Sequence, residues 1–341
     1  MRKNPSMLSF FVLIGVSMVS AGGWADEAAD ILNAEAPIEV SAAPDRFDLI
    51  AVDSARHRLI AAHSQASALT VVDLVEHKLL ADISVGSKSS GVANDAVGNK
   101  YFVGTARGIA VIDPSTLREV AFIATPGPTD ALAFDGHDDQ LYVAHDDGKE
   151  LWVVDPRQGK ITGRIGVPGA PELMEIDPQS HRLYVNIKPQ NEVAVIDMSA
   201  RKIVAQWSTL PTESPHGLAL DLQNQRMFIA GRSRMVSVFS LPTGVQQEAI
   251  DIGPGHVDQI ALDAGARQLY LPSGARLVVV NVAGRSGIVV GAVAVPEGTH
   301  SVAVEPETHR VWIAYVEGGH SYVQAFAPVA VAKAQGPAIS R

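Results

Sequence analysis

A sevenfold internal repeat constrains the fold of this 341-residue chain more than any other feature. One copy, PHGLALDLQNQRMFIA at residues 215–230, has a Gly/Pro-rich approach, an apolar strand ending in an acid, a polar turn and a second apolar strand. The acids that close the first strand, called anchor acids below, are Asp53, Asp95, Asp135, Asp177, Asp221, Asp263 and Glu305. They are 42, 40, 42, 44, 42 and 42 residues apart, and a period in the forties with short strands predicts the blades of a β-propeller.

Each copy continues into further apolar segments. In the fourth copy these read RLYVN (182–186), VAVID (193–197) and KIVAQW (202–207). Such nearly continuous apolar runs, without strict alternation, indicate sheets that are covered on both faces. The sequence therefore predicts an all-β, seven-bladed β-propeller with four strands in each blade.

The seventh copy lacks an evident fourth strand. An open sheet edge invites aggregation, so the N-terminal segment Pro37–Ser41 is predicted to pair into this last blade and close the ring. The domain organisation that follows is a linker at residues 26–36, the propeller at 37–328 and a flexible tail at 329–341.

The first 25 residues have the pattern of an export signal. Arg2 and Lys3 precede an apolar run at residues 8–19, and small residues allow cleavage near Ala21 or Ala25. The run is shorter than the roughly 20 residues that a membrane-spanning helix needs. We therefore expect a periplasmic protein with no transmembrane anchor after cleavage, and loss of Arg2 and Lys3 changes its net charge from −10 to −12.

The composition excludes several classes of function. With 47% hydrophobic and 19% charged residues the chain can bury a core, and without cysteine it has no disulfide, thiol nucleophile or Cys-ligated zinc. The net charge of −10, with no basic run interleaved with aromatic residues, argues against nucleic acid as the main partner.

Short recurring motifs carry a resemblance to a known family. They are LYVN (183–186), LYVA (141–144), LYLP (269–272), VAVID (193–197), IAVID (109–113), TPGPTD (125–130) and VPGAPE (167–172). With them the chain resembles, over about residues 37–328, the YVTN-repeat, YncE-like family of exported bacterial seven-bladed propellers. The resemblance implies the fold, and it connects the chain with binding proteins and, more distantly, with lactone-hydrolysing and lyase propellers.

Polar residues occupy the position five residues before every anchor acid. The first strand of a blade lines the central channel, so this position lies at the mouth of the channel, where the long loops gather. Six of the seven residues can ionise, although apolar residues would fit the pattern equally well. This ring, the predicted ligand site, consists of Asp48, Ser90, Asp130, Glu172, His216, Asp258 and His300.

Histidines near the same face suggest a metal site. His63 and His145 both lie ten residues after an anchor acid, where the second strand ends. Imidazole and carboxylate groups from several blades are suitable ligands for a divalent metal ion. The candidate ligands are His216, Asp258, His300, His63 and His145. His57, His181 and His309 instead recur in register in the opposite turn, which predicts a structural role for them.

Three interpretations of the ring remain: a hydrated channel mouth, a small-ligand or metal site, and a catalytic site. The first candidate function is binding or scaffolding: a monomeric protein whose partner is a periplasmic protein or a small molecule. The alternative is a metal-assisted enzyme of the lactonase or lyase type, with His216 or His300 in proton abstraction. The sequence does not decide whether the protein is an enzyme.

Overall fold

Seven antiparallel sheets arranged in a ring make up residues 31–329 in a computed structural model of the chain. Each sheet is one blade. In the first six sheets the strands follow the chain from the channel outward, whereas the outer strands of the seventh come from the N-terminal segment. The predicted all-β, seven-bladed β-propeller is confirmed. The predicted export signal, and all but the first residue of the predicted tail at 329–341, lie outside the described residues.

The strands of the N-terminal half are given first. Two short strands precede the first blade: β1 (Leu32–Ala34) and β2 (Ile38–Ser41). Blade 1 contains β3 (Ile50–Asp53), β4 (Arg58–His63), β5 (Ala68–Asp73) and β6 (Lys78–Ser84). Blade 2 contains β7 (Ser89–Asp95), β8 (Lys100–Thr105), β9 (Gly108–Asp113) and β10 (Arg118–Ala124). Blade 3 contains β11 (Thr129–Asp135), β12 (Gln140–His145), β13 (Glu150–Asp155) and β14 (Lys160–Gly166).

The C-terminal half repeats this arrangement. Blade 4 contains β15 (Pro171–Asp177), β16 (Arg182–Ile187), β17 (Glu192–Asp197) and β18 (Lys202–Ser208). Blade 5 contains β19 (Pro215–Asp221), β20 (Arg226–Gly231), β21 (Met235–Ser240) and β22 (Val245–Asp251). Blade 6 contains β23 (Ala261–Asp263), β24 (Gln268–Pro272), β25 (Arg276–Asn281) and β26 (Ile288–Ala294). Blade 7 contains β27 (Ser301–Glu305), β28 (Arg310–Glu317) and β29 (His320–Pro328).

Helical structure within residues 31–329 is limited to one 3-10 turn, Lys188–Gln190. In that part of the chain, no helix has the length and apolar character that crossing a bilayer requires.

The N-terminal strands close the last blade, as predicted. Strand β2 pairs antiparallel with β29, with Ile38 opposite Val323. Strand β1 pairs with the same strand further along, with Leu32 opposite Pro328. Strand β1 lies inside the segment predicted as a linker, and it is held there because Leu32 is buried in an apolar cluster of blades 6 and 7.

The core lies between the blades. Side chains of one blade pack against those of the next: Trp152 of blade 3 contacts the cluster of Phe102 in blade 2, and Trp312 of blade 7 contacts the cluster of Leu59 in blade 1. These side chains are fully buried, and each contributes about 1.5–3 kcal/mol of burial free energy.

The anchor acids hold the turns and connect neighbouring blades at the face opposite the ring. Asp95 accepts a 2.6 Å hydrogen bond from the N–H of Gly98, and Asp53 accepts one of 2.7 Å from Tyr101 Oη in the next blade. His309 of blade 7 contacts Asp263 of blade 6 at 2.8 Å. The residue four positions after each anchor acid is left-handed, for example His57 with φ 49°. This recurring geometry accounts for the histidines predicted to be structural.

Candidate functional site

All seven residues of the predicted ring line one cavity of about 340 Å³ at the mouth of the channel. Four of them stand on first strands, at Ser90, Asp130, Glu172 and His216, whereas the other three lie one to three residues before their first strands. The structure thus brings together one residue from each of the seven blades.

A β-bulge directs the ring residue of blades 2 to 5 into the channel. In blade 2 the strand register shifts between Ser89 and Val92, so that Ser90 and Gly91 together face one residue of β8. The same shift recurs at the ring residues of blades 3, 4 and 5. A bulge re-aims a side chain without ending the sheet, and such bulges are common next to functional sites.

Two of the ring carboxylates, Asp48 and Asp130, are held in an environment that disfavours their charge. Burial is the main cause that raises the pKa of Asp48 to about 6; Asp258 and Glu172 raise it further, and His300 and Lys88 oppose the rise. Burial, followed by the charges of Glu172 and Asp48, raises the pKa of Asp130 well above its usual range. A bound cation would remove part of this cost, because it stabilises the ionised carboxylates.

Each ring histidine has one nitrogen fixed by a backbone carbonyl. His216 Nδ1 lies 2.7 Å from the carbonyl oxygen of Ser214, and His300 Nδ1 lies 2.8 Å from that of Gly298. Because a carbonyl only accepts hydrogen bonds, Nδ1 carries the proton and Nε2 is the nitrogen left for a ligand. The backbone of His216 is itself fixed by Asn186, whose Nδ2 donates to its carbonyl at 2.8 Å.

The remaining ring members contribute differently. Ser90 Oγ donates to the backbone carbonyl of Thr129 at 2.7 Å, so it connects blades 2 and 3. Glu172 lies 3.8 Å from His216 Nε2 and also contacts Lys188. Burial alone would lower the pKa of Lys188, but contact with the Glu172 carboxylate raises it above the ordinary value.

Four basic residues that the sequence analysis does not assign to the ring line the same cavity: Arg46, Lys88, Lys188 and Arg232. A sequence signal exists for all four: Arg46 and Lys88 each lie seven residues before an anchor acid, and Lys188 and Arg232 each lie eleven residues after one. The position eleven residues after the anchor acid is Ser64 in blade 1, Asp146 in blade 3, Lys188 in blade 4 and Arg232 in blade 5, and all four line the cavity. This second set of equivalent positions makes the mouth a site of mixed charge instead of a purely acidic one.

His63 and His145, expected at the mouth as metal ligands, do not line the cavity. His63 is fully buried, stacks on Phe47 at 4.3 Å and contacts Asp82 through Nδ1 at 3.3 Å. His145 stacks on Trp152 at 4.6 Å. Successive side chains of a strand point to opposite faces, so the position ten residues after the anchor acid faces the blade and the next one faces the mouth.

The ring does not present a ready-made metal cluster. Within residues 31–329, two groups of three have ligand atoms within 4.8 Å of one another: His137, Asp138 and His181, and His57, Glu305 and Glu307. Both lie in turns at the face opposite the ring, and neither contains a ring residue. A metal ion bound by His216, Asp258 and His300 would require their side chains to rotate toward one another.

Comparison with solved structures supports the fold alone. The chain is similar to Kuenenia stuttgartiensis hydrazine synthase, with a TM-score of 0.72 at 15% identity over 82% of this chain and 95% of that one. It is also similar to the Myceliophteria thermophila Cps50 (Swd1) β-propeller domain, with a TM-score of 0.71 at 11% identity over 87% of this chain and 99% of that one.

Such a widespread fold does not select a function. The chain matches 1770 chains of solved structures, and the two described above carry names with no common activity. No protein-family model matches the chain, and no curated protein matches it. The chain is a seven-bladed β-propeller, and its function has to be argued from the cavity.

Proposed function

We propose that the protein is an exported binding protein of the YVTN-repeat, YncE-like type, which holds a small polar ligand at the channel mouth. One observation carries the proposal: the equivalent position of all seven blades is polar, and all seven residues line one cavity. Export is inferred from the signal pattern of residues 1–25.

The polarity of the ring is costly, which favours a role in binding. Two residues further along each first strand the equivalent position is always apolar, as at Ile50, Met174 and Leu218. Those side chains are buried between the blades, whereas the ring position faces the cavity. Grouped carboxylates with raised pKa values, such as Asp48, are retained against their desolvation. A cavity of about 340 Å³ is also within the range of small-molecule sites.

A ligand screen with a ring variant tests the proposal. Small polar metabolites are screened by the shift in unfolding temperature of the mature protein, and the hits are measured by calorimetry. We expect the double variant His216→Asn/Asp258→Asn to weaken binding of a hit at least tenfold, since both side chains face the cavity. Asp251→Asn is the matched control, because Asp251 pairs with Arg234 on the outer surface.

Unchanged affinity of every hit for the double variant, together with normal folding of that variant, would place the site elsewhere and refute the proposal.

A metal-assisted enzyme of the lactonase or lyase type is the second candidate. It is supported by the orientation of His216 and His300, whose Nδ1 atoms are fixed by carbonyl oxygens so that Nε2 is the nitrogen available to a ligand. These nitrogens and the carboxylate of Asp258 form a donor set suited to a divalent transition metal ion, which would polarise a carbonyl group.

Metal analysis of protein purified without chelator tests the second candidate. A metal ion bound stoichiometrically to the wild type, and absent from the His216→Ala/His300→Ala variant, would support it. Metal-free protein whose stability does not change on addition of chelator would eliminate it and leave the binding function standing.

A further inference from the structure

Charges at the channel mouth are sorted by depth. The inner tier consists of the ring acids Asp48, Asp130, Glu172 and Asp258, which are buried or half-buried. The outer tier consists of Arg46, Lys88 and Arg232, which are exposed and line the same cavity. Lys188 lies between the tiers and contacts Glu172, and Asp146 is a half-buried acid at an outer position.

Most of these charges lack a partner in the protein. Within residues 31–329, no hydrogen bond or ion pair involves the side chains of Asp48, Asp130 or Asp258, and Asp258 Oδ1 is buried without a donor. In the same part of the chain, the side chains of Arg46, Lys88 and Arg232 also make no such contact. Elsewhere in residues 31–329 some exposed cations are paired, as in the contact between Arg234 and Asp251 at 2.6 Å, whereas others, such as Arg107 and Arg285, are not. The mouth is distinguished because unpaired cations and unpaired carboxylates line the same cavity.

Unpaired charges of both signs, at different depths, select for a ligand that carries both signs. A cation in the inner tier relieves the repulsion between desolvated carboxylates, which is the larger electrostatic cost at this site. An anion at the outer tier pairs with exposed guanidinium and ammonium groups and is screened by salt. A dication would bring a positive charge to the basic rim, and a dianion would bring a negative charge to the acidic floor.

We infer that the mouth binds a small zwitterion, with its cationic nitrogen toward the inner tier and its acidic group toward the outer tier. This inference rests on the proposed binding function and names the class of its ligand.

Three five-carbon compounds that differ only in their end groups test the inference. They are 5-aminopentanoate, with one amine and one carboxylate; cadaverine, with two amines; and glutarate, with two carboxylates. Calorimetry on the mature protein at low ionic strength is expected to give an affinity for 5-aminopentanoate at least tenfold higher than for either of the others. Raising the salt concentration should weaken the binding of 5-aminopentanoate and glutarate more than that of cadaverine, because the outer tier is exposed.

Charge-neutralising variants assign each end of the ligand to its tier. Asp130→Asn is expected to lower the affinity for 5-aminopentanoate and cadaverine at least fivefold and to leave the affinity for glutarate unchanged. Arg232→Gln is expected to lower the affinity for 5-aminopentanoate and glutarate and to leave the affinity for cadaverine unchanged. Asp147→Asn and Arg234→Gln are the matched controls, because neither residue lines the cavity. Asp258→Asn serves as a second inner-tier variant if Asp130→Asn does not fold.

The outcomes separate this inference from the function on which it rests. If cadaverine or glutarate binds as tightly as 5-aminopentanoate and the ring variants abolish binding, the zwitterion is refuted and the binding function stands. If none of the three compounds binds at millimolar concentration, the zwitterion is also refuted, and the ligand screen decides the binding function on its own. The inference also fails if each of the two variants lowers the affinity for all three compounds equally.

Discussion

One glutamate breaks the sevenfold pattern of the first strands. Two residues before the anchor acid, six blades have alanine, at positions 51, 93, 133, 219, 261 and 303, whereas blade 4 has Glu175. Its carboxylate accepts a 3.1 Å hydrogen bond from the N–H of Leu220 in the next blade. Burial raises the pKa of Glu175 to about 7, and this hydrogen bond opposes the rise only in part.

Glu175 is expected to make stability depend on pH. The folded protein keeps a proton that the unfolded chain releases above its ordinary pKa of 4.5, so the free energy of unfolding falls as pH rises from about 4.5 to about 7. Glu175→Gln should remove this contribution, which is at most about 3 kcal/mol. Denaturant unfolding at pH 5 and pH 8 measures it.

Asp48 and Asp130 have raised pKa values and contribute with the same sign, so part of the dependence should remain in Glu175→Gln. Glu119→Gln on the exposed strand β10 is the control and should behave like the wild type. If the free energy of unfolding has the same pH dependence in Glu175→Gln and the wild type, the prediction is wrong. Glu175 would then ionise in the folded protein at no cost in stability.

At the scale of elements, closure of blade 7 depends on a segment distant in sequence. Strands β1 and β2 cover the outer edge of β29, and they bury Leu32 and Val40 in the apolar clusters beside blade 7. Without them β29 would have a free edge of about nine residues, long enough to pair with another chain.

A chain that begins at Phe47 is therefore expected to be less stable by at least about 3 kcal/mol, because it loses the burial of two apolar side chains and the pairing of β29. Thermal unfolding and light scattering measure the loss of stability and the resulting aggregation. A chain that begins at Ile31 keeps both strands and is the control. Equal unfolding temperatures for the two chains would show that β1 and β2 do not hold the ring closed.

At the scale of the whole molecule, one amide side chain forms hydrogen bonds between the blades that meet where the ring closes. Gln259 precedes the first strand of blade 6, and its Oε1 accepts hydrogen bonds of 3.2 Å from the N–H groups of Ile50 and Val302. Its Nε2 donates to the Ile50 carbonyl at 2.8 Å. Gln259 thus connects blades 6, 7 and 1, which come from opposite ends of the chain.

Gln259→Ala is expected to lower the free energy of unfolding by about 2–3 kcal/mol, since three hydrogen bonds between blades are lost. Denaturant unfolding measures the change, with Gln247→Ala on the exposed surface as the control. Hydrogen exchange should accelerate at Ile50 and Val302 before other first-strand positions. Protection at these two amides equal to that of the wild type would contradict the prediction. It would mean that water or a neighbouring group replaces the hydrogen bonds of Gln259.

The sequence by itself determined the period, the number of blades and the composition of the ring. Repeats fold alike because each copy has the same local pattern, so the repeat alone assigns equivalent positions such as Asp130 and Glu172 to one face. The same argument predicted closure by Pro37–Ser41, although it did not predict the additional pairing of Leu32–Ala34.

Only the tertiary structure decided which neighbouring residue at a strand end faces the cavity. A shift of one residue reverses the direction of a side chain, so His63 and His145 are packed within the blades while Ser64 and Asp146 line the mouth. The outer cations Arg46 and Lys88 both lie seven residues before an anchor acid, in the approaches to the first strands, where the other five blades have Pro128, Ala170, Ser214, His256 and Gly298. Their position depends on packing between blades, and it is this packing that changes an acidic ring into a cavity with charges of both signs.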